Sequence, residues 1–172
     1  MNMATRRRKA TAAEVRALAH PLRLRIIRAL YDGPASNKEL AGRLHEDPAT
    51  VFYHVRTLTK TGFLKPAGTR PGARGSVEKL YASTGKSWRI SVDSGLPARG
   101  GVSQAMLDAF LAELRDAGPD SIVGTARLAL VLSRERVEEL QSRIEAVLDE
   151  FADTYDDGGE RVAVFYALHR RA

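Results

Sequence analysis

Between residues 48 and 61, groups that can bond to DNA recur at helical spacing. Val51, Val55 and Leu58 lie at i, i+4 and i+7, which predicts a helix with one buried stripe. The side chains left for its outer face include no acid and are Thr50, Tyr53, His54, Arg56, Thr57 and Lys60. Hydroxyl, imidazole and guanidinium groups bond to phosphates and base edges. The pattern therefore predicts a DNA-reading helix.

Within this helix the side chains suit different contacts. Arg56 has the geometry for bidentate reading of a guanine, and Thr50 and Tyr53 suit phosphates or thymine methyls. His54 has two interpretations: a contact to a base or phosphate, or packing at the helix end. The predicted DNA-binding set is completed by Ser36, Asn37, Lys38, Ala49, Phe52, Arg70, Arg74 and Lys79.

A preceding short helix must position this one. Ser36 and Glu39 form a capping box that predicts its start, and Leu40, Ala41 and Leu44 form its buried side. The run 45–48 breaks the chain, and Pro48 suits the first turn of the next helix, which ends at Gly62. Two short helices joined by a tight turn predict a helix-turn-helix with its second helix in the major groove.

The segment after the helix-turn-helix predicts a β-hairpin wing. Residues 63–66 and 77–82 have the composition of strands, and the segment between them, AGTRPGARGS, carries Arg70 and Arg74. We expect this loop to lay two cations along adjacent phosphates or the minor groove. Residues 84–93 predict one more strand, with Trp88 as a packing anchor between the halves.

Upstream, Thr11 and Glu14 predict a helix that begins near residue 12, and a second helix resumes at Pro21 and ends at Gly33-Pro34. The basic run 6–9 lies in a predicted disordered tail over residues 1–11. A minor-groove arm and a solvated tail both remain open for it.

Charge divides the chain into two halves. Residues 1–100 hold 19 basic and 7 acidic side chains, whereas residues 101–172 hold 8 and 14. A basic half beside an acidic one indicates a polyanion-binding module joined to a module with another task.

Several classes of function lack support in the composition. The chain has no cysteine, which excludes disulfides, zinc–thiolate sites and cysteine nucleophiles. The four histidines form no metal-ligand pattern, and no nucleophile–base pair or phosphate-binding loop is visible. We therefore expect no enzyme activity, no metal and no cofactor. Neither a signal peptide nor a stretch of about 18 apolar residues is present, so we expect no membrane association and a cytoplasmic, nucleoid-associated protein.

The acidic half predicts a small α+β domain. A helix begins at Ser103, with Met106, Leu107, Phe110, Leu111 and Leu114 on one face. A strand at 125–132, a long helix capped by Ser133 and a last strand from 161 follow. The stripe from Val137 to Phe151 fits packing on its own sheet or a dimer seam.

The predicted domains are therefore a winged helix-turn-helix over 12–92, a linker over 93–102 and a dimerisation or effector domain over 103–172. The fold class is α+β.

Residues 12–84 resemble the ArsR-type winged helix-turn-helix regulators of bacteria. The resemblance rests on ALAHPLRLRIIRAL, the spaced helix-turn-helix and the Gly-rich wing that closes with VEKLYAST. It implies a homodimeric transcriptional regulator with Thr50, Tyr53, His54 and Arg56 on the DNA-reading face. Phe52 stands where the family commonly has a small polar residue, and the metal-sensing thiolates of many members are missing.

The predicted function is a DNA-binding repressor that reads a two-fold operator on double-stranded DNA. One alternative is a ligand-responsive regulator whose C-terminal domain binds a small-molecule effector or a partner. Another is a winged-helix protein–protein adaptor. The sequence does not specify the operator, the regulated genes, the sign of regulation, the effector or the dimer interface.

Overall fold

The computed structural model describes residues 7–92, 99–152, 154 and 156–170. The chain divides into two compact units, one over Arg7–Ser121 and one from Ile122 onward. The regular elements are β1 (Arg8–Lys9), α1 (Ala12–Leu18), α2 (Pro21–Ala29), β2 (Ala35–Ser36), α3 (Asn37–Leu44), α4 (Pro48–Lys60), β3 (Leu64–Pro71), β4 (Val77–Ser83), β5 (Ile90–Ser91), α5 (Arg99–Ala117) and α6 (Arg134–Phe151). The α+β class and the N-terminal winged helix-turn-helix predicted from the sequence are confirmed.

The first unit buries one core beneath its helices and wing. Both capping boxes form as predicted, Thr11 with Glu14 at α1 and Ser36 with Glu39 at α3. The apolar stripes of the helices meet around the largest fully buried side chains, which are Val15, Leu18, Ile26, Leu40, Val51, Val55, Leu58, Phe63 and Leu64. This core fixes the orientation of α4, because its valines and Leu58 are fully enclosed.

Residues 7–11 are ordered, and here the prediction of a disordered tail is wrong. β1 pairs in parallel with β5, and the Arg7 guanidinium lies 4.1 Å from the centroid of the Trp88 ring. The buried Glu14 carboxylate accepts hydrogen bonds from Arg8 at 2.6 and 2.8 Å and pairs with Lys86 at 2.6 Å. Hydrogen bonding from Arg8, followed by Lys86, holds the pKa of Glu14 well below its ordinary range. These ion pairs tie the basic run to the domain.

The wing is a three-stranded antiparallel sheet in the order β2-β4-β3. β3 reaches Pro71, with an irregularity in register between Pro66 and Thr69, so the connecting turn spans only 72–76. The predicted loop was longer, because a sequence with Gly and Pro inside a strand does not show that a bulge can absorb them. The further strand predicted within 84–93 is β5, which pairs with β1 and not with this sheet.

Helix α5 belongs to the first unit, so the predicted boundary at 93–102 is wrong. It begins at Arg99, before the predicted Ser103, and packs on α1 and α2 through Val102, Ala105 and Ala109. The small side chains allow close helix approach, and Arg25 on α2 forms a 2.9 Å ion pair with Asp116 on α5. The boundary lies after Ser121, and residues 93–98 of the predicted linker lie outside the described residues.

The apolar face predicted for α5 is largely uncovered. Leu111 is 51% exposed, Met106 40% and Leu107 38%. The alanines of α5, and not its leucines, lie on the side that packs on α1 and α2, because only small side chains fit where two helices cross closely.

In the second unit, α6 is the only regular helix among the described residues, and Ser133 caps it as predicted. The predicted strands at 125–132 and from 161 are not formed, since the described residues there have no regular secondary structure. A strand needs a hydrogen-bonding neighbour, and the described part of this unit offers residues 125–132 none. No helix among the described residues is long and apolar enough to span a membrane.

Candidate nucleic-acid interface

The start of α4 is fixed by its cap. The Asp47 carboxylate accepts hydrogen bonds from the Thr50 amide at 2.9 Å and from the Thr50 hydroxyl at 3.2 Å, and Pro48 occupies the first turn. The Asn37 amide of α3 donates to the Pro48 carbonyl at 2.9 Å, which locks the two helices together. His45, in the left-handed region at φ 54°, makes the turn between them. The two helices therefore form a fixed pair.

The outer face of α4 is open and free of carboxylates. Tyr53 is 65% exposed and Phe52 47%, and Ala49, Thr50, Arg56 and Lys60 are also exposed. The Arg56 guanidinium lies 5.9 Å from the centre of the Phe52 ring, a cation–π arrangement that holds both side chains outward. Phe52 is thus a surface residue.

Three further members of the predicted set have positions that limit their roles. Ser36 is 2% exposed and its hydroxyl caps α3, so its side chain is a structural cap and the predicted DNA contact is wrong for it. Asn37 is half-buried, with its amide on Pro48, whereas Lys38 is exposed at the start of α3. Thr57 is half-buried and donates its hydroxyl to the Tyr53 carbonyl at 3.1 Å.

His54 is part of the core, so its predicted contact with DNA is wrong. It is 6% exposed, its ring centre lies 4.3 Å from that of His20, and its Nδ1 accepts a hydrogen bond from Arg23 Nε at 3.3 Å. The physical reason is helical phase, since His54 follows Val51 by three residues and shares its face. Burial, and then the charges of His20 and Arg23, lower the pKa of His54 to about 4. The ring is therefore neutral at pH 7.

Arg70 is engaged by two carboxylates and lies in a strand, not in a loop. Its guanidinium lies 2.8 Å from both Glu39 of α3 and Glu78 of β4. These contacts tie the wing to the helix-turn-helix. The hydrogen bond from the Ser36 backbone, and then Arg70, lower the pKa of Glu39 to about 2. Arg70 is therefore held by two ion pairs and is not the free cation of a loop, and its contact with DNA stays a prediction.

The remaining wing cations lie nearer the tip or on the strands. Arg74 belongs to the turn Ala73–Gly75, and its side chain lies outside the described residues. Lys79 is exposed on β4, opposite Thr69 of β3. Lys65, which is absent from the predicted DNA-binding set, is exposed on β3. The alternation that follows the buried Leu64 was the signal that could have found Lys65.

The wing turn leaves little space for a side chain at Gly72. A Cβ on Gly72 would lie 2.6 Å from the Ser76 hydroxyl and 2.9 Å from Glu78 Cγ, so that these atoms would have to move.

The described residues contain no group of three His, Asp or Glu side chains that could hold a metal ion.

A comparison with protein families agrees with the helix pair. A family model described as a helix-turn-helix domain matches residues 18–67. No curated protein matches the chain. Among solved structures, the chain is similar to a double mutant of ZitR from Lactococcus lactis, at 17% identity, over 76% of this chain and 73% of that chain, with a TM-score of 0.33. It is also similar to the adhesin competence repressor AdcR from Streptococcus pyogenes, at 16% identity, over 78% and 80% of the two chains, with a TM-score of 0.30.

The matched domain ends within β3, just after the α3–α4 pair and the start of the wing. A helix-turn-helix with an open, acid-free second helix is a DNA-reading unit. The chain is therefore a DNA-binding transcriptional regulator with an N-terminal winged helix-turn-helix.

Proposed function

We propose that this regulator is an ArsR-type, homodimeric repressor that acts without enzymatic activity on chromosomal DNA in the cytoplasm. Helix α4 enters the major groove of one half-site, and the wing follows the adjacent backbone. Two protomers present two such helices to a two-fold operator with half-sites about one helical turn apart.

One observation carries the proposal: the outer face of α4 is exposed, cationic and rigidly seated. Arg56 reads a guanine, while Thr50 and Tyr53 contact phosphates or thymine methyls. Lys38, Ala49, Thr57 and Lys60 flank them, on parts of α3 and α4 that are exposed or half-buried. The cores of α3 and α4 fix their approach angle, so the reading face needs little reorganisation on binding.

In this proposal some wing residues position the hairpin and others contact the DNA backbone. Arg70 holds the hairpin against Glu39 of α3, and Lys79 and Arg74 neutralise phosphates. Phosphate contacts fix register and supply salt-dependent affinity, whereas base contacts supply specificity. Removal of a wing lysine should therefore weaken binding to all sequences nearly equally.

The test begins with selection of bound fragments from a random DNA pool by the whole protein, which yields the operator. Arg56→Ala should then weaken binding to that operator by about 1–3 kcal/mol and relax specificity at one position per half-site. Arg134→Ala is the matched control, because the Arg134 side chain is 85% exposed on α6 and, among the described residues, forms an ion pair with Glu138 at 2.9 Å.

Two results would remove the proposal. One is weak binding that has the same strength for all DNA sequences and that neither Arg56→Ala nor Tyr53→Ala reduces. The other is an absence of DNA binding at moderate salt, which would favour the adaptor alternative, in which the winged helix binds protein.

Dimerisation is supported by the uncovered apolar side chains on the first unit. Met106, Leu107 and Leu111 of α5 are exposed at 38 to 51%. Exposed apolar clusters on a soluble protein mark contact surfaces. Light scattering on the intact chain at micromolar concentration measures the mass directly, and a monomer at all concentrations would contradict this part of the proposal.

A ligand-responsive regulator is the second candidate, supported by a cavity of about 380 Å³ in the first unit. Its lining includes His20, Arg25, Thr50, His54 and Asp108. His20 Nδ1 and Arg25 Nε are buried without a hydrogen-bond partner among the described residues, and a small polar molecule would supply one. Since Thr50 and His54 belong to α4, an occupant would touch the reading helix.

Within the range 103–172 that the sequence suggested for an effector domain, only α5 contributes to this lining, through Asp108 and Ala112. The candidate is tested by a screen of small metabolites for compounds that raise the melting temperature and change operator affinity together. His20→Phe fills the cavity and should abolish both effects. If no compound gives both effects, the second candidate falls.

A further inference from the structure

Arg23 on α2 is a half-buried cation whose described hydrogen bonds go to neutral groups. Its Nη1 donates to the carbonyls of Arg16 and Ala17 on α1, both at 3.0 Å, and its Nε donates to His54 Nδ1 at 3.3 Å. Burial lowers the pKa of Arg23, and the Tyr53 phenol acts in the opposite direction. Without a carboxylate partner, the cost of taking this cation out of water is only partly offset. Its bonds therefore contribute direction more than stability, and they join α1, α2 and α4.

The His54 ring is held from three sides, directly behind the reading face of α4. Arg23 donates to its Nδ1, the His20 ring lies 4.3 Å away between centroids, and the Tyr53 ring meets it edge-on at 5.3 Å. Arginine Nε always carries a hydrogen, so Nδ1 is the acceptor and the single proton of the neutral ring lies on Nε2. Since His54 is buried, water does not replace Arg23 as the donor. The imidazole thus connects α2 to the exposed Tyr53.

Apolar packing and this hydrogen bond constrain different properties of α4. Val51, Val55 and Leu58 are fully buried and decide which face of the helix points inward. Apolar contacts have no preferred direction, whereas a hydrogen bond weakens steeply as its angle departs from linear, so the bond limits rotation about the helix axis more sharply. Outer side-chain atoms lie about 5–6 Å from that axis, so a rotation of about 10° moves them by about 1 Å. N–H···O hydrogen bonds vary in length by only about 0.5 Å.

We propose that Arg23 and His54 are positioning residues for DNA recognition. The hydrogen bond between them fixes the rotation of α4 and thereby places Tyr53 against the DNA. In this role neither residue contacts DNA, because His54 is buried and Arg23 is engaged with α1. The inference rests on the proposed reading of DNA by α4, and it adds to that function two residues that lie behind the reading face.

Two substitutions of His54 separate the hydrogen bond from the space that the ring fills. In His54→Asn the side-chain oxygen takes the place of Nδ1 as acceptor, so the bond from Arg23 is kept. His54→Leu fills the site with an apolar side chain that has no acceptor. His54→Leu should weaken binding to the selected operator about tenfold, whereas His54→Asn should stay within about threefold of the unmodified protein.

Tyr53 supplies a readout that a merely structural role of His54 would leave unchanged. Tyr53→Ala should weaken operator binding when His54 is present. In the His54→Leu background the tyrosine is no longer placed correctly, so Tyr53→Ala should weaken binding by less than about twofold. Binding to non-operator DNA depends mainly on attraction to phosphates, so His54→Leu should leave it unchanged.

The matched control is Val15→Ala, at a fully buried side chain on α1. It removes apolar packing from the same core but no hydrogen bond of His54. All full-length variants are compared by fluorescence anisotropy with labelled operator, at a temperature at which thermal unfolding shows each of them to be folded. Val15→Ala should lower the melting temperature and keep the operator affinity of the unmodified protein.

A measurement on the unmodified protein covers the case in which His54→Leu does not fold. The nitrogen chemical shifts of the His54 ring near pH 7 distinguish its two neutral tautomers. The tautomer with the proton on Nε2 is expected, because the hydrogen bond from Arg23 occupies Nδ1. Arg23→Met then removes the donor and should reproduce the loss of operator affinity.

Four results overturn the inference. They are a proton on Nδ1, equal operator affinities of His54→Asn and His54→Leu, the same cost of Tyr53→Ala in both backgrounds, and a loss of affinity in Val15→Ala as large as that in His54→Leu. If any of them occurs in a protein that reads its operator through Arg56, this inference fails and the proposed function survives. An unmodified chain that binds no DNA is the separate failure of the proposed function.

Discussion

Arg70 provides a direct test of how the wing is held. Its guanidinium lies 2.8 Å from Glu39 and from Glu78, so it joins the hairpin to α3 and to the facing strand. Arg70→Ala removes both ion pairs and leaves the backbone of β3 intact. If the residue positions the wing, the variant should reduce order in the hairpin while every phosphate remains neutralised as before.

The expected loss of stability is small. The Arg70 side chain is 41% exposed, that of Glu39 32% and that of Glu78 21%, so both pairs lie near water. Pairs of this kind contribute about 0–1 kcal/mol each. We expect the free energy of unfolding to fall by about 1 kcal/mol, which lowers the melting temperature by about 2–4 °C for a chain of this size.

The same substitution should change the titration of Glu39. The pKa of Glu39 is lowered from 4.5 to about 2, by the Ser36 backbone hydrogen bond and then by Arg70. A lowered carboxylate pKa stabilises the fold above pH 4.5, and this contribution is lost as the pH falls from 4.5 toward 2. Without Arg70 the pKa of Glu39 should rise, so the loss begins at a higher pH. Carboxyl NMR shifts measure this directly.

Salt dependence of DNA binding separates positioning from contact. The slope of log affinity against log salt changes by about 0.9 for each phosphate that the protein no longer neutralises. Lys79→Ala should reduce the slope by about that amount, whereas Arg70→Ala should lower affinity at every salt concentration and leave the slope unchanged. A slope reduction of about 0.9 for Arg70→Ala would refute the positioning role.

Three further predictions concern stability. Acidification from pH 6.5 toward 4 should lower the free energy of unfolding, because the pKa of His54 is lowered to about 4 in the folded state and the unfolded state binds a proton more readily across that window. In urea unfolding at several pH values, His54→Phe should weaken this pH dependence, and an unchanged pH dependence would contradict the lowered pKa of His54. In chemical denaturation, Leu58→Ala should lower the free energy of unfolding by about 2–5 kcal/mol because Leu58 is fully buried, whereas Phe52→Ala should lower it by less than about 1 kcal/mol because Phe52 is 47% exposed. Similar losses for the two variants would mean that Phe52 is packed. Gly42→Ala should raise the free energy of unfolding by about 0.4–1 kcal/mol, because Gly42 lies in a helix and an added Cβ meets nothing within 4 Å, whereas Gly72→Ala should lower it. Thermal unfolding measures both changes, and a destabilised Gly42→Ala or a stabilised Gly72→Ala would contradict the packing described at these sites.

The helices of the first unit were predictable from the sequence because local rules define them. Capping boxes at Thr11 and Ser36, Pro48 at the first turn and the spacing of Val51 and Val55 involve residues within one or two turns of each other. Interactions of such short range depend little on the rest of the chain. The reading face of α4 followed from the same periodicity.

The errors arose where side chains meet elements distant in the sequence. Of the two interpretations of His54, the phase with Val51 favours burial, but it does not predict which side chains surround the ring. Its neighbours His20 and Arg23 belong to other parts of the fold. The sequence predicts Arg70 to be a free cation in a loop, because no local pattern shows that Glu39, some thirty residues earlier, lies beside it. Burial and charge pairing are properties of three-dimensional neighbours, which periodicity does not name.

The sequence by itself determined the helix-turn-helix, the wing, the acid-free face and the α+β class. Only the tertiary structure decided that α5 packs on α1 and α2, that the basic run at 7–9 is tied down by Glu14, and that Leu128, Leu130 and Leu132 are exposed. Helix formation depends on neighbours in sequence, whereas burial depends on which surfaces meet in space. For that reason the hydrophobic pattern predicted which segments have an apolar face to bury but not which surface buries that face.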